Sequence, residues 1–183
     1  MTTALVILDM LNDFVDGTLA NSAAEPIIGT IDQLAAAARK RDDWVVVYAN
    51  DAHVAGDYEF EVFGEHALAG SNGAEVVSRL APGPDDIVVP KRYYSAFTQT
   101  DLDATCRVHN IDKFVVVGQH TNCCCRHTTY DAFLRGIAVS VVLDATCVFA
   151  PMVGDRYDQV QSESLEYLQT FYKAQVLEST ELL

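Results

Sequence analysis

The sequence predicts an α/β fold: a doubly wound, mostly parallel sheet of about six strands with helices on both faces. Three observations carry this expectation. Apolar, β-branched runs recur along the 183 residues. The runs are continuous rather than alternating, as in strands covered on both sides. A stretch of helical periodicity stands between each run and the next, the alternation that builds right-handed β-α-β crossovers.

In chain order, strands are expected at 4–9, 44–49, 86–90, 113–118, 138–143 and, more weakly, 175–178. Helices are expected at about 24–41, where Ile27, Ile28, Ile31 and Leu34 share a face, then at 73–80, 100–109, 122–136 and 156–172. The irregular stretch 50–72 is long for a connection in a compact domain, and such loops are often functional. No repeat, low-complexity tract or linker divides the sequence, so one domain over residues 1–183 is expected.

A net charge of −14 disfavours nucleic acid or an anionic membrane as a partner. The few lysines (Lys40, Lys91, Lys113, Lys173) are also compatible with a high-salt cytoplasm. No run of roughly 18 apolar residues suggests a membrane span. The first residues lead directly into Ala4–Asp9 without a basic region or a cleavage signal, so the expected location is cytoplasmic. Of five cysteines three are adjacent, which fits reduced thiols better than a disulfide framework. Adjacent side chains on a helix splay around its axis, which argues against a zinc cluster and for only one of Cys123, Cys124 and Cys125 facing a given pocket.

The run Gly118-Gln119-His120-Thr121-Asn122-Cys123-Cys124 follows the apolar stretch Phe114–Val117 and opens a helical pattern. A thiol there meets backbone N–H groups that lack intrahelical partners, which lower its pKa and can bind an oxyanion. In doubly wound sheets ligands bind beyond the carboxyl ends of the strands. Asp9, Asp51, His53, Lys91 and Cys124 all fall at such ends. Thiol, carboxylate and ammonium form a complete set for covalent catalysis.

These residues resemble the isochorismatase-like cysteine hydrolases and, within them, the nicotinamidases. Asp9-Met10-Leu11-Asn12-Asp13-Phe14 is similar to the opening segment of that family, with Leu11 in place of a usual Gln. Lys91–Phe97 is similar to its lysine segment, and Gly118-x-x-Thr121-x-x-Cys124-x-x-x-Thr128 to its nucleophile segment. The resemblance implies a catalytic triad of Asp9, Lys91 and Cys124, a cis peptide at Gln119–His120, and an oxyanion hole made by the backbone N–H groups of His120 and Cys124. It implies amide hydrolysis of a small molecule, nicotinamide to nicotinate and ammonia. The runner-up is a carbamoyl substrate such as N-carbamoylsarcosine, and a non-enzymatic thiol or metal-binding protein is a rival of another class. Further copies of the chain are the other expected partners.

Asp51-Ala52-His53, Glu59 and His66 form a plausible site for a divalent transition metal. Asp57 and Glu61 are rivals to Glu59. The resemblance strengthens this reading, since His66 precedes a Gly-x-x-Gly-Ala stretch at 70–74. It implies zinc, with iron or manganese as alternatives, holding the pyridine nitrogen. It also implies Phe14, Phe63 and Tyr94 as pocket aromatics, with Phe63 where Trp is common, while Tyr93 is read as packing.

Overall fold

Each apolar run becomes a strand because its side chains alternate between two buried faces. The computed structural model describes residues 1–183. Its strands are β1 (Thr2–Leu8), β2 (Trp44–Asp51), β3 (Ile87–Lys91), β4 (Ile111–Gln119), β5 (Ala138–Cys147) and β6 (Gln175–Leu177). They form a single parallel sheet in the order β3-β2-β1-β4-β5-β6. The helices are α1 (Asn12–Val15), α2 (Glu25–Ala38), α3 (Phe60–Phe63), α4 (Leu102–Val108), α5 (Cys124–Leu134), α6 (Ala150–Val153) and α7 (Tyr157–Tyr172). None of them is long and apolar enough to cross a membrane.

On one face, Leu5, Ile7, Val46 and Val115 pack against Ile27, Ile28, Ile31 and Leu34 of α2. At roughly 1.5–3 kcal/mol for each large aliphatic side chain fully buried, this stripe is what holds α2 to the sheet. On the other face, Ala4, Val6, Val47 and Val116 meet Leu102 of α4, Ala132 of α5 and Leu165 and Leu168 of α7. Strand order reverses between β1 and β4, so the crevice of the doubly wound sheet opens beyond Leu8 and Gln119. Gly118 is required at that point. It has φ of +100°, and a Cβ there would lie 2.1 Å from the Leu8 carbonyl oxygen.

The structure departs from the sequence expectation in three places. Residues 73–80 form no α-helix, only 3₁₀ turns at Asn72–Ala74 and Ser78–Leu80. Their backbone is engaged elsewhere: Val77 N–H donates to Met10 O and Asn12 N–H to Glu75 O. β5 runs on to Cys147, four residues past the expected end, because β4 pairs with it again at Gly118–Thr146 and Gln119–Cys147 beyond a register shift. The 50–72 stretch is ordered by a bridge in which His53 N–H donates to Ala67 O (2.9 Å) and Ala69 N–H to His53 O (2.8 Å).

Candidate active site

Four strand ends bring the functional side chains together. Asp9, immediately after β1, takes a left-handed φ of 53°, which Asp tolerates better than most residues. Its N–H donates to Asn50 Oδ1 (3.0 Å), and its Oδ1 accepts from Asp51 N–H (2.8 Å). Lys91, the last residue of β3, places Nζ 2.8 Å from Asp9 Oδ2, 2.5 Å from Asp51 Oδ1 and 3.7 Å from Cys124 Sγ. All four side chains are buried.

Burial works against the Lys91 charge, but Asp51, Asp9 and Cys124 outweigh it and hold its pKa well above the usual lysine value. Burial and the neighbouring Asp51 carboxylate push Asp9 up to about 7, against the pull of Lys91. Asp51, although also buried, is kept low by Lys91 and His53. Two carboxylates on one ammonium thus divide into a fixed charge, Asp51, and a proton acceptor poised near neutrality, Asp9. The neighbouring Cys124 thiol and the His127 imidazole lower Cys123 to about 6, whereas Cys123 and burial push the Cys124 thiol up despite Lys91. Cys124 is thus a thiol whose proton has a nearby acceptor.

The turn from β4 into α5 carries the cis peptide at Gln119–His120. The N–H groups of Cys123 and Cys125 both donate to His120 O, at 2.9 and 3.2 Å, whereas those of His120 and Cys124 donate to nothing in the chain. Unengaged N–H groups of this kind suit a developing oxyanion. The turn is tied to the end of β1: Gln119 Nε2 donates to Asp9 O (3.1 Å), and Gln119 Oε1 accepts from Asn21 Nδ2 (3.0 Å).

The bridge at His53 brings the two imidazoles of the loop to 4.8 Å between centroids. Ligand atoms of Asp51, His53, Glu59 and His66 lie within 4.8 Å of one another. His53 Nδ1 lies 2.9 Å from Asp57 Oδ2, and His66 Nδ1 lies 2.8 Å from Gly64 O. Those acceptors place the ring protons on Nδ1 and leave both Nε2 atoms buried without a partner. The Nε2 atoms face Asp51 Oδ2 and Glu59 Oε1, each at 3.7 Å. Lone pairs aimed at carboxylates repel unless a cation stands between them, so these donors fit a divalent metal ion. Burial opposes charge on either ring, yet Asp51 and Asp57 raise the His53 pKa, and Glu59 and the Gly64 carbonyl raise that of His66. Of the rivals to Glu59, Asp57 is engaged by Arg92 and His53, and Glu61 is exposed.

Between the thiol and this group lies a cavity of about 200 Å³ lined by Phe14, Leu19, Asp51, Glu59, Phe63, His66, His120, Asn122, Cys123, Cys124, Phe149 and Met152. Five rings close a collar around it. Phe14 packs on His66 (5.5 Å) and His120 (5.8 Å), His120 on Phe149 (4.9 Å), and Phe63 on Phe149 (6.5 Å) and His66 (6.2 Å).

Phe14 and Phe63 are therefore cavity residues, as expected. Tyr94 is not: beyond Lys91 the chain turns outward, and its ring packs on His127, 5.3 Å away, in the neighbouring groove. The expectation that one thiol of the triplet faces the pocket is also corrected. Cys123 precedes the helix with φ −127° and ψ −98°, off the helical path, so it lines the cavity beside Cys124. Cys125 points into the core. Phe149, Asn122 and the His120 side chain were not singled out as cavity residues from the sequence. The strand-end rule applied to β5 points to Phe149, which follows it by two residues.

The doubly wound sheet thus gathers a thiol, an ammonium and carboxylates beyond its strand ends. The isochorismatase domain family matches residues 3–179, and the chain belongs to that family. Ureidoacrylate amidohydrolase RutB of Cronobacter sakazakii is 29% identical over 93% of this chain and 82% of its own length. The crystal structure of N-carbamoylsarcosine amidase from Thermoplasma acidophilum superposes with a TM-score of 0.87 at 33% identity, covering 98% of this chain and 97% of that one. Nicotinamidase/pyrazinamidase PncA from Bacillus subtilis gives 0.87 at 30% identity, covering 97% and 100%. Those names span different substrates, so membership leaves the choice of substrate to the cavity.

Proposed function

We propose that the protein hydrolyses nicotinamide, or a closely similar heteroaromatic carboxamide, to the carboxylate and ammonia through an acyl-enzyme on Cys124. Asp9 accepts the thiol proton as Sγ adds to the carboxamide carbon, and Lys91 stabilises the thiolate. The N–H groups of His120 and Cys124 receive the oxyanion. The proton passes from Asp9 to the departing ammonia, and Asp9 then takes a proton from the water that opens the thioester and returns it to Cys124 Sγ as the carboxylate product is released. A divalent transition metal held by Asp51, His53, Glu59 and His66, zinc before iron or manganese, supplies a Lewis acid for a pyridine nitrogen when bound.

The observation that carries this reading is the aromatic collar standing between thiol and metal donors, with no lysine or arginine in the cavity lining. Aromatic walls suit a flat ring. The volume lies below the roughly 300–1,000 Å³ of drug-sized sites and favours a small one. N-carbamoylsarcosine has no flat ring to stack within the collar, and the lining offers its carboxylate no lysine or arginine. A thiol-sensing or metal-storage role has no need of a buried ammonium beneath the thiol.

The test is ammonia release from nicotinamide and from N-carbamoylsarcosine, each with and without chelator. Turnover of nicotinamide that chelator suppresses is the expected result. Turnover of the carbamoyl compound alone overturns the assignment.

A further inference from the structure

The collar holds two imidazoles, and the mechanism uses only one of them. His66 belongs to the metal donors. His120 serves the mechanism through its backbone N–H, while its ring faces the same cavity, separated from His66 by Phe14 on one side and by Phe149 and Phe63 on the other. His120 Nε2 is buried and has no hydrogen-bond partner, and the nearby Asn122 Oδ1, also on the cavity lining, has none either. Burial lowers the His120 pKa to about 4, so its ring is neutral, with one donor and one acceptor nitrogen. A ring present only for packing would be better served by Phe, because an unmade buried hydrogen bond is unfavourable.

We propose that the His120 side chain is a specificity-determining contact that hydrogen-bonds a second polar group on the edge of the substrate ring, opposite the group that meets the metal donors. The preferred substrates are then pyridine carboxamides carrying a ring hydroxyl or comparable polar substituent, rather than nicotinamide itself. This inference rests on the reading of the site as one for heteroaromatic carboxamides. A plain C–H edge leaves His120 unpaired, and sites built to hydrogen-bond a substrate hydroxyl discriminate strongly against analogues that lack it.

The experiment compares kcat/KM for nicotinamide and the isomeric ring-hydroxylated nicotinamides with the metal-loaded wild-type protein, His120→Phe and His120→Gln. At least one hydroxylated isomer should exceed nicotinamide by about tenfold or more in the wild type. His120→Phe, which keeps an aromatic ring in the collar, should bring that ratio close to one, mainly through KM, and His120→Gln should retain part of it. No isomer exceeding nicotinamide in the wild type, or a ratio unchanged in His120→Phe, overturns the inference while leaving the carboxamide reading intact. Should the Phe variant fail to fold, the wild-type series and His120→Gln still decide the matter. Failure to hydrolyse any heteroaromatic carboxamide overturns the underlying reading and this inference together.

Discussion

Asp51 Oδ1 lies 2.5 Å from Lys91 Nζ, and the same carboxylate turns Oδ2 toward His53 Nε2. One side chain therefore borders both the Lys91 ammonium and the two imidazoles of the loop. It neutralises Lys91 while Asp9, the other carboxylate on that ammonium, keeps a raised pKa and the freedom to exchange a proton.

Cys124→Ala is expected to abolish hydrolysis, whereas Cys123→Ala and Cys125→Ala fold and keep substantial activity. Only Cys124 has Lys91 Nζ within 3.7 Å and a free N–H of its own. Assays of the three variants check this, and near-normal turnover by Cys124→Ala would sink covalent catalysis at that residue.

Asp9→Asn and Lys91→Met should each lower turnover by at least about a hundredfold. The proposed mechanism uses Asp9 as an ionised base, and its carboxyl is pushed up to about 7. Activity should therefore rise with pH through about 7 and level off above it. A pH profile of kcat/KM reads this directly. A limb centred near the ordinary carboxylate value would remove Asp9 from the role.

One divalent metal ion per chain should copurify, shown by elemental analysis. Imidazoles must lose their protons to bind it, so affinity should fall steeply below about pH 6. Because His53 and His66 are both raised, the decline should begin nearer neutrality. His66→Ala should lose nicotinamide turnover while Cys124 still reacts with a small alkylating reagent. Loss of both together would mean that the thiol environment, not the holding of the ring, had been disturbed.

Gly118→Ala should destabilise the fold by more than about 2 kcal/mol in urea unfolding. Both the φ of +100° and the 2.1 Å approach to Leu8 O exclude a Cβ at the β1–β4 crossing. Wild-type stability in this variant would show that the two strand ends separate easily, contrary to the close approach on which the site depends.

The alternation of buried strands and amphipathic helices made the doubly wound sheet legible in the sequence, because covering both faces demands uninterrupted apolar runs and that demand is local. Asp9, Lys91 and Cys124 were legible for a related reason: each stands where a strand ends, and polar groups at such positions are conspicuous. The false helix at 73–80 looked local too, but hydrogen bonds to Met10 O and from Asn12 N–H claimed its backbone. Tyr94 shared a segment with Lys91, and only the outward turn of the chain removed it from the cavity. The collar belongs entirely to the tertiary structure. Phe14, the pair Phe63 and His66, His120 and Phe149 come from four separate segments, and no periodicity records which rings meet once the strand ends converge. The polar groups that gather at the strand ends were therefore readable residue by residue, whereas the shape of the cavity arises only from packing between segments distant in the chain.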